Sequence, residues 1–166
     1  MRLVHSGFGR DEDWNEQYDG TKAGWAFFRY SLRLYVEPHG GRSRHMISRR
    51  LRLAGARSGV WQRVLRSADG IAAVTQSEAA VGRWLELMLG PRGEATSAQV
   101  EVLVPGRVIG LRLARCNNAL LLVEIEPGDR DCHVGFWLSV YEDRDLSALT
   151  ASFDQRMKRL ARHAVA

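Results

Sequence analysis

Cys116, Cys132 and the adjacent His133 are the side chains in this 166-residue chain that suggest a metal site. Thiolate and imidazole are common zinc ligands, and structural sites draw them from close pairs such as CxxC or HxxxH. Neither spacing is present, so no metal and no cofactor is expected. Two cysteines in a chain of this length do not make a disulfide framework, and free thiols are expected. His5, His39, His45 and His163 are scattered and read as structural or surface groups. Ser6-Gly7-Phe8-Gly9 lacks the GxSxG frame of a nucleophile elbow, and no P-loop or Rossmann glycine pattern occurs. No catalytic residue is assigned. Arg83, Arg112, Glu124 and His133 become candidates for acid–base chemistry only if the fold brings them into a pocket.

Charge is the second chemical signal. The net charge is +5, and residues 42–92 carry ten basic against three acidic side chains. Arg42, Arg44, Arg49, Arg50, Arg52, Arg57, Arg63 and Arg66 make up most of that excess. Such a segment can attract phosphate if its arginines converge on one face. A charge run by itself reads as a solvated face.

The elements that must position these groups follow from periodicity. Residues 2–8 read as a strand and 14–36 as a helix, with Trp14, Tyr18, Trp25, Phe28, Leu32 and Tyr35 along one face. Gly20 and Gly24 weaken that helix and suggest a firm start only near Thr21. Residues 38–46, which include Pro38 and Gly40-Gly41, read as a linker. A strand over 46–53, a short helix over 56–67 and a second short helix within 68–82 follow. The period then changes to two, giving strands at 83–89, 98–104, 108–114, 119–126 and 132–141. Their short Pro, Gly and Asn connectors imply antiparallel neighbours. Asp145 caps a last helix whose Leu146, Leu149, Phe153, Met157, Leu160 and Ala164 form an apolar stripe.

Alternation sorts each strand into two faces. The apolar face should meet the last helix, and any cavity between them should be lined by Leu87, Val102, Leu111, Val123, Phe136, Phe153 and Met157. The opposite face carries Trp84 and Met88 on one strand and Trp137 on another. With Trp14, Trp25 and Phe28 of the first helix, these are the expected interaction surface.

This order, α+β with a curved antiparallel sheet wrapped around a long C-terminal helix and an extra N-terminal strand and helix, resembles the START-like superfamily. That superfamily is also called helix-grip or Bet v-like. The chain is most similar to bacterial relatives of the activator of the ninety-kilodalton heat-shock ATPase. His5-Ser6-Gly7-Phe8 leading into a helix, Gly24-Trp25 followed by Leu32 and Glu37, and the Val104-Pro105-Gly106-Arg107 turn carry the resemblance. It implies that residues 1–37 are the tail of one such domain, 38–46 a linker, and 47–166 a second copy. Exposed aromatics on a tail without its own sheet invite docking on the second copy or on another chain.

The function expected is a non-enzymatic module that binds a hydrophobic small molecule or a protein partner, the latter including a homodimer through residues 1–37. A cyclase-like enzyme using the sheet–helix cavity, and nucleic-acid or anionic-surface binding through 42–66, are the alternatives. No apolar run is long enough for a membrane helix and no signal peptide is visible, so a cytoplasmic location is expected.

Overall fold

The computed structural model describes residues 13–66, 70–71, 79–89, 95–128, 130–143 and 145–162, with side chains from residue 21 onward except those of Ala23 and Ala26. The strand expected at 2–8 lies outside the described residues, as does most of the segment expected to form a second short helix. Helix α1 spans Asp13–Val36 and runs through Gly20 and Gly24 without a break, so its start precedes Thr21. Strand β1 (His45–Ala54) and helix α2 (Arg57–Arg66) follow. The meander is β2 (Trp84–Met88), β3 (Ala95–Val104), β4 (Val108–Leu113), β5 (Leu120–Pro127) and β6 (Asp131–Val140). Helix α3 (Ser147–Arg162) closes the domain. Asp145 caps it by accepting the Ser147 backbone N–H at 2.8 Å.

Among the described residues six strands form one antiparallel sheet in the order β1-β6-β5-β4-β3-β2. β1 and β2 are therefore its edges. Two residues of α3 reach both of them. The Asp154 carboxylate accepts from Arg49 Nε of β1 at 2.5 Å. The Ser152 hydroxyl donates to the Leu89 carbonyl, just past β2, at 3.1 Å. A flat six-strand sheet would separate its edges by about 24 Å at ~4.8 Å per strand. A helix with its side chains is only about 10–12 Å across. The sheet meets α3 from both sides by curling around it, and the apolar faces of strands and helix close into one core. Leu53, Leu87, Leu111, Val123, Phe136, Phe153 and Leu160 are all at most 1% exposed within it.

One strand departs from simple alternation. The β3–β4 register runs Val100↔Leu111 and then Val102↔Gly110, a shift at Glu101. A bulge of this kind adds one residue to a strand and reverses the faces beyond it. Val100 faces the core, and beyond the bulge Leu103, paired with Ile109, takes the core-facing role expected of Val102. Val102 instead lies beside Gly110 and Phe27 on the other side of the sheet.

That other side is where α1 docks, against β3, β4 and β5. Gly110 permits the approach, because a Cβ there would stand 2.9 Å from Phe27 Cδ2. At its C-terminal end α1 turns through residues 37–44. His39 is buried there, stacked on Tyr141. The segment read as a linker is thus partly tied down by its own packing.

Candidate functional site

The interior of the grip is the first candidate. Six of the seven expected lining residues meet there: Leu87, Leu111, Val123, Phe136, Phe153 and Met157 are 0–3% exposed. The Phe153 ring stands edge-on to Phe136 with centroids 6.3 Å apart. Val102 is not among them, because the bulge in β3 turns it toward α1. Sequence periodicity missed several polar atoms of this layer. Trp61 of α2 and Thr96 of β3 are buried, and neither the indole N–H nor the Thr96 hydroxyl has a hydrogen-bond partner. Thr96 belongs to the core-facing register of Ala98 and Val100. Arg156 is buried on α3 at 7% exposure, close to the Ser152 and Phe153 positions. The Cys132 thiol points to the Gly55 carbonyl at 3.5 Å, and burial pushes its pKa up, which makes it a poor nucleophile.

None of the four residues considered for acid–base chemistry enters the grip. Arg83 is exposed, and His133 is an exposed side chain 3.9 Å from Asp131. Glu124 lies on the outer face, where burial and then Glu126 raise its pKa, opposed by Arg50 and Arg107. Arg112 is the centre of a polar cluster beneath α1. Its Nε donates to Glu101 at 2.7 Å and a terminal nitrogen to Asn118 at 3.0 Å, with Gln99 taking a third bond. The Tyr30 hydroxyl joins Glu101 and Arg112, and burial first and Glu101 second hold its pKa well above the ordinary phenol range. Each group in this cluster serves as partner to another, so it pins α1 to the sheet and leaves no free acid or base.

The expected interaction residues are dispersed. Trp84 is 54% exposed on edge strand β2, with the Arg112 guanidinium 5.9 Å from its ring centre. Met88 is half-buried on the same strand. Trp137 folds over Gly135, and Arg50 approaches its ring at 5.8 Å. Trp25 packs edge-on against Phe28, which remains 51% exposed. Trp14 lies in α1, but its side chain is outside the described residues.

The arginine segment does not converge. Arg49 turns inward to Asp154, whereas Arg50 and Arg52 leave from the outer face of the same strand, Arg52 to Asp131. Among the described residues no three His, Cys, Asp or Glu side chains come together as a metal site, and no helix is long and apolar enough to cross a membrane.

A six-strand antiparallel sheet curled around a C-terminal helix is the helix-grip fold. No protein-family model and no curated protein sequence matches the chain. Solved structures do. The Aha1 dimer from Colwellia psychrerythraea is 16% identical with a TM-score of 0.55, covering 72% of this chain and 96% of that one. The AHSA1-like protein from Aeromonas hydrophila is 10% identical with a TM-score of 0.55, covering 72% and 91%. DynU16, from the dynemicin biosynthetic locus, is 15% identical with a TM-score of 0.58, covering 71% of this chain and 46% of that one. At these identities the likeness is one of fold.

Proposed function

We propose that this chain is a non-catalytic START-like binding module whose ligand is an uncharged, largely apolar molecule held between the sheet and α3. The observation that carries the reading is the pairing of an apolar wall with two orphaned polar atoms, Trp61 Nε1 and Thr96 Oγ1. A buried polar group left without a partner costs roughly 1–3 kcal/mol. A ligand bearing one hydrogen-bonding group on an apolar body would relieve that cost while filling the wall of Leu87, Leu111, Val123, Phe136, Phe153 and Met157. Ligand sites in general have this composition, mostly apolar with a few placed polar groups. Within residues 1–37, which resemble the tail of a START-like domain, α1 covers the outer face of the sheet in this reading.

The test is uptake of the neutral probe N-phenyl-1-naphthylamine, followed by its fluorescence and by energy transfer from tryptophan. Val123→Trp, which fills the interior, should abolish the signal, and Trp61→Phe should weaken it. Native mass spectrometry of freshly purified protein should show a carried mass. Equal uptake by the wild type and both variants would refute the reading.

A second reading, a protein or homodimer contact, is favoured by the exposed Trp84 and Phe28 and by the dimeric state of the Colwellia protein. Light scattering on the full chain tests it. A dimer that reverts to monomer in Trp84→Ser would support it.

A further inference from the structure

Outside the grip, a cleft of about 530 Å³ opens between α1 and residues 41–44, lined by Phe28, Ser31, Leu32, Tyr35, Arg42 and Arg44 together with Gly41 and Ser43. We propose that this cleft is a second binding site, for a small amphipathic carboxylate with an aliphatic tail.

Three features of the cleft select that chemistry. Its volume lies in the range of ordinary small-molecule sites, roughly 300–1,000 Å³. One wall is a single stripe of α1: Phe28, Leu32 and Tyr35 are spaced i, i+4 and i+7, and cover about 10 Å of helix length. Phe28 stays 51% exposed, although Trp25 packs against one edge of its ring. That wall suits a hydrocarbon chain. The facing wall is cationic. Neither Arg42 nor Arg44 forms an ion pair among the described residues; nearby Glu37 is occupied by Arg33 at 3.0 Å, and Asp143 lies 3.7 Å from His45. Guanidinium forks match a carboxylate with two parallel hydrogen bonds. The Ser31 hydroxyl is buried without any partner and supplies one further donor.

A neutral hydrocarbon would cover the stripe and leave both guanidiniums unmatched. A simple inorganic anion would satisfy them and leave Phe28 and Leu32 wet. A medium-chain carboxylate satisfies both walls at once.

Isothermal titration of the full chain with decanoate, decanol and inorganic phosphate tests this. Decanoate should bind, and decanol and phosphate should bind at least about tenfold more weakly, since decanol leaves the guanidinium forks unmatched and phosphate leaves the apolar stripe uncovered. The double variant Arg42→Gln, Arg44→Gln should lose decanoate by at least about tenfold, and the Arg42→Lys, Arg44→Lys pair should recover part of it. Saturating N-phenyl-1-naphthylamine should not displace decanoate, which keeps this site separate from the grip whatever the fate of the grip reading. Decanol or phosphate binding as tightly as decanoate, an unchanged double variant, displacement by the neutral probe, or no decanoate binding would each overturn the proposal.

Discussion

The imidazole of His39 lies flat on the phenol ring of Tyr141, with centroids 4.3 Å apart and planes 5° from parallel. Both imidazole nitrogens are buried without hydrogen-bond partners. Tyr35 of α1 reaches the same Tyr141 ring at 6.2 Å. The end of α1 is therefore fastened to the end of β6 by three rings. Burial, and then the nearby Arg42, lower the pKa of His39 below its ordinary value. The neutral form is favoured in the folded chain, while the unfolded chain takes up a proton near pH 6.5. The unfolded state thus binds more protons as pH falls, and stability is lost downward from about pH 6.5 toward the depressed native value. Melting temperatures should fall across that window in the wild type, and the His39→Phe variant should show a shallower decline. Parallel pH profiles would contradict this.

Gly110 sets how closely α1 can lie. Gly110→Ala would place a methyl 2.9 Å from Phe27 and 3.2 Å from Val102. Overpacking of this kind costs about 1–3 kcal/mol. Urea titration should show that loss, and Phe27→Leu in the same chain should return part of it. A neutral Gly110→Ala would mean that α1 is not seated on β4.

How far the chain's plan could be read from residue order depends on how loudly each strand alternates. The Val123-Glu124-Ile125-Glu126 stretch of β5 and the Cys132-His133-Val134 stretch of β6 alternate, and Val123, Ile125, Val134 and Phe136 lie in the core where periodicity puts them. In β3 the run Val100-Glu101-Val102-Leu103-Val104 is apolar on both sides of a single charge, so no pattern reveals the extra residue. Both faces of that run need apolar groups, one for the core and one for α1. His39 was hidden differently: it sits among Pro, Gly and Arg residues that spell a loop, and only the proximity of Tyr141, far along the chain, makes it a core residue. Arg49 reads as one more charge of the basic segment, because its partner, Asp154, is 105 residues away. Trp61 and Thr96 could not be singled out from sequence because an orphaned buried donor is a property of three-dimensional surroundings.

The bulge makes neighbouring residues answer to different partners. Leu103→Asn should destabilise the core by about 2 kcal/mol or more, since it buries a polar group without a partner. Val102→Asn should mainly loosen α1, seen as faster amide exchange in residues 21–36 while the strands stay protected. If Val102→Asn instead exposes the strands, the face assignment fails.

Phe153 is the largest side chain that α3 places in the grip. Phe153→Ala should cost about 3–5 kcal/mol through lost burial and the void left beside Phe136. If the wild type already takes up the smaller neutral probe, the same void should strengthen uptake of a bulkier one. Denaturation and probe titration on the one variant read both effects.

Ser152 and Asp154 stand two residues apart and hold opposite borders of the sheet. Their contacts fix where each sheet edge meets α3, whereas the apolar side chains form the lining between them. Lengthening or slackening either tether would change the spacing of the sheet edges without altering any residue of the apolar lining. In the proposed binding module, selectivity for ligand size would then be a property of this perimeter, set by one ion pair and one hydroxyl.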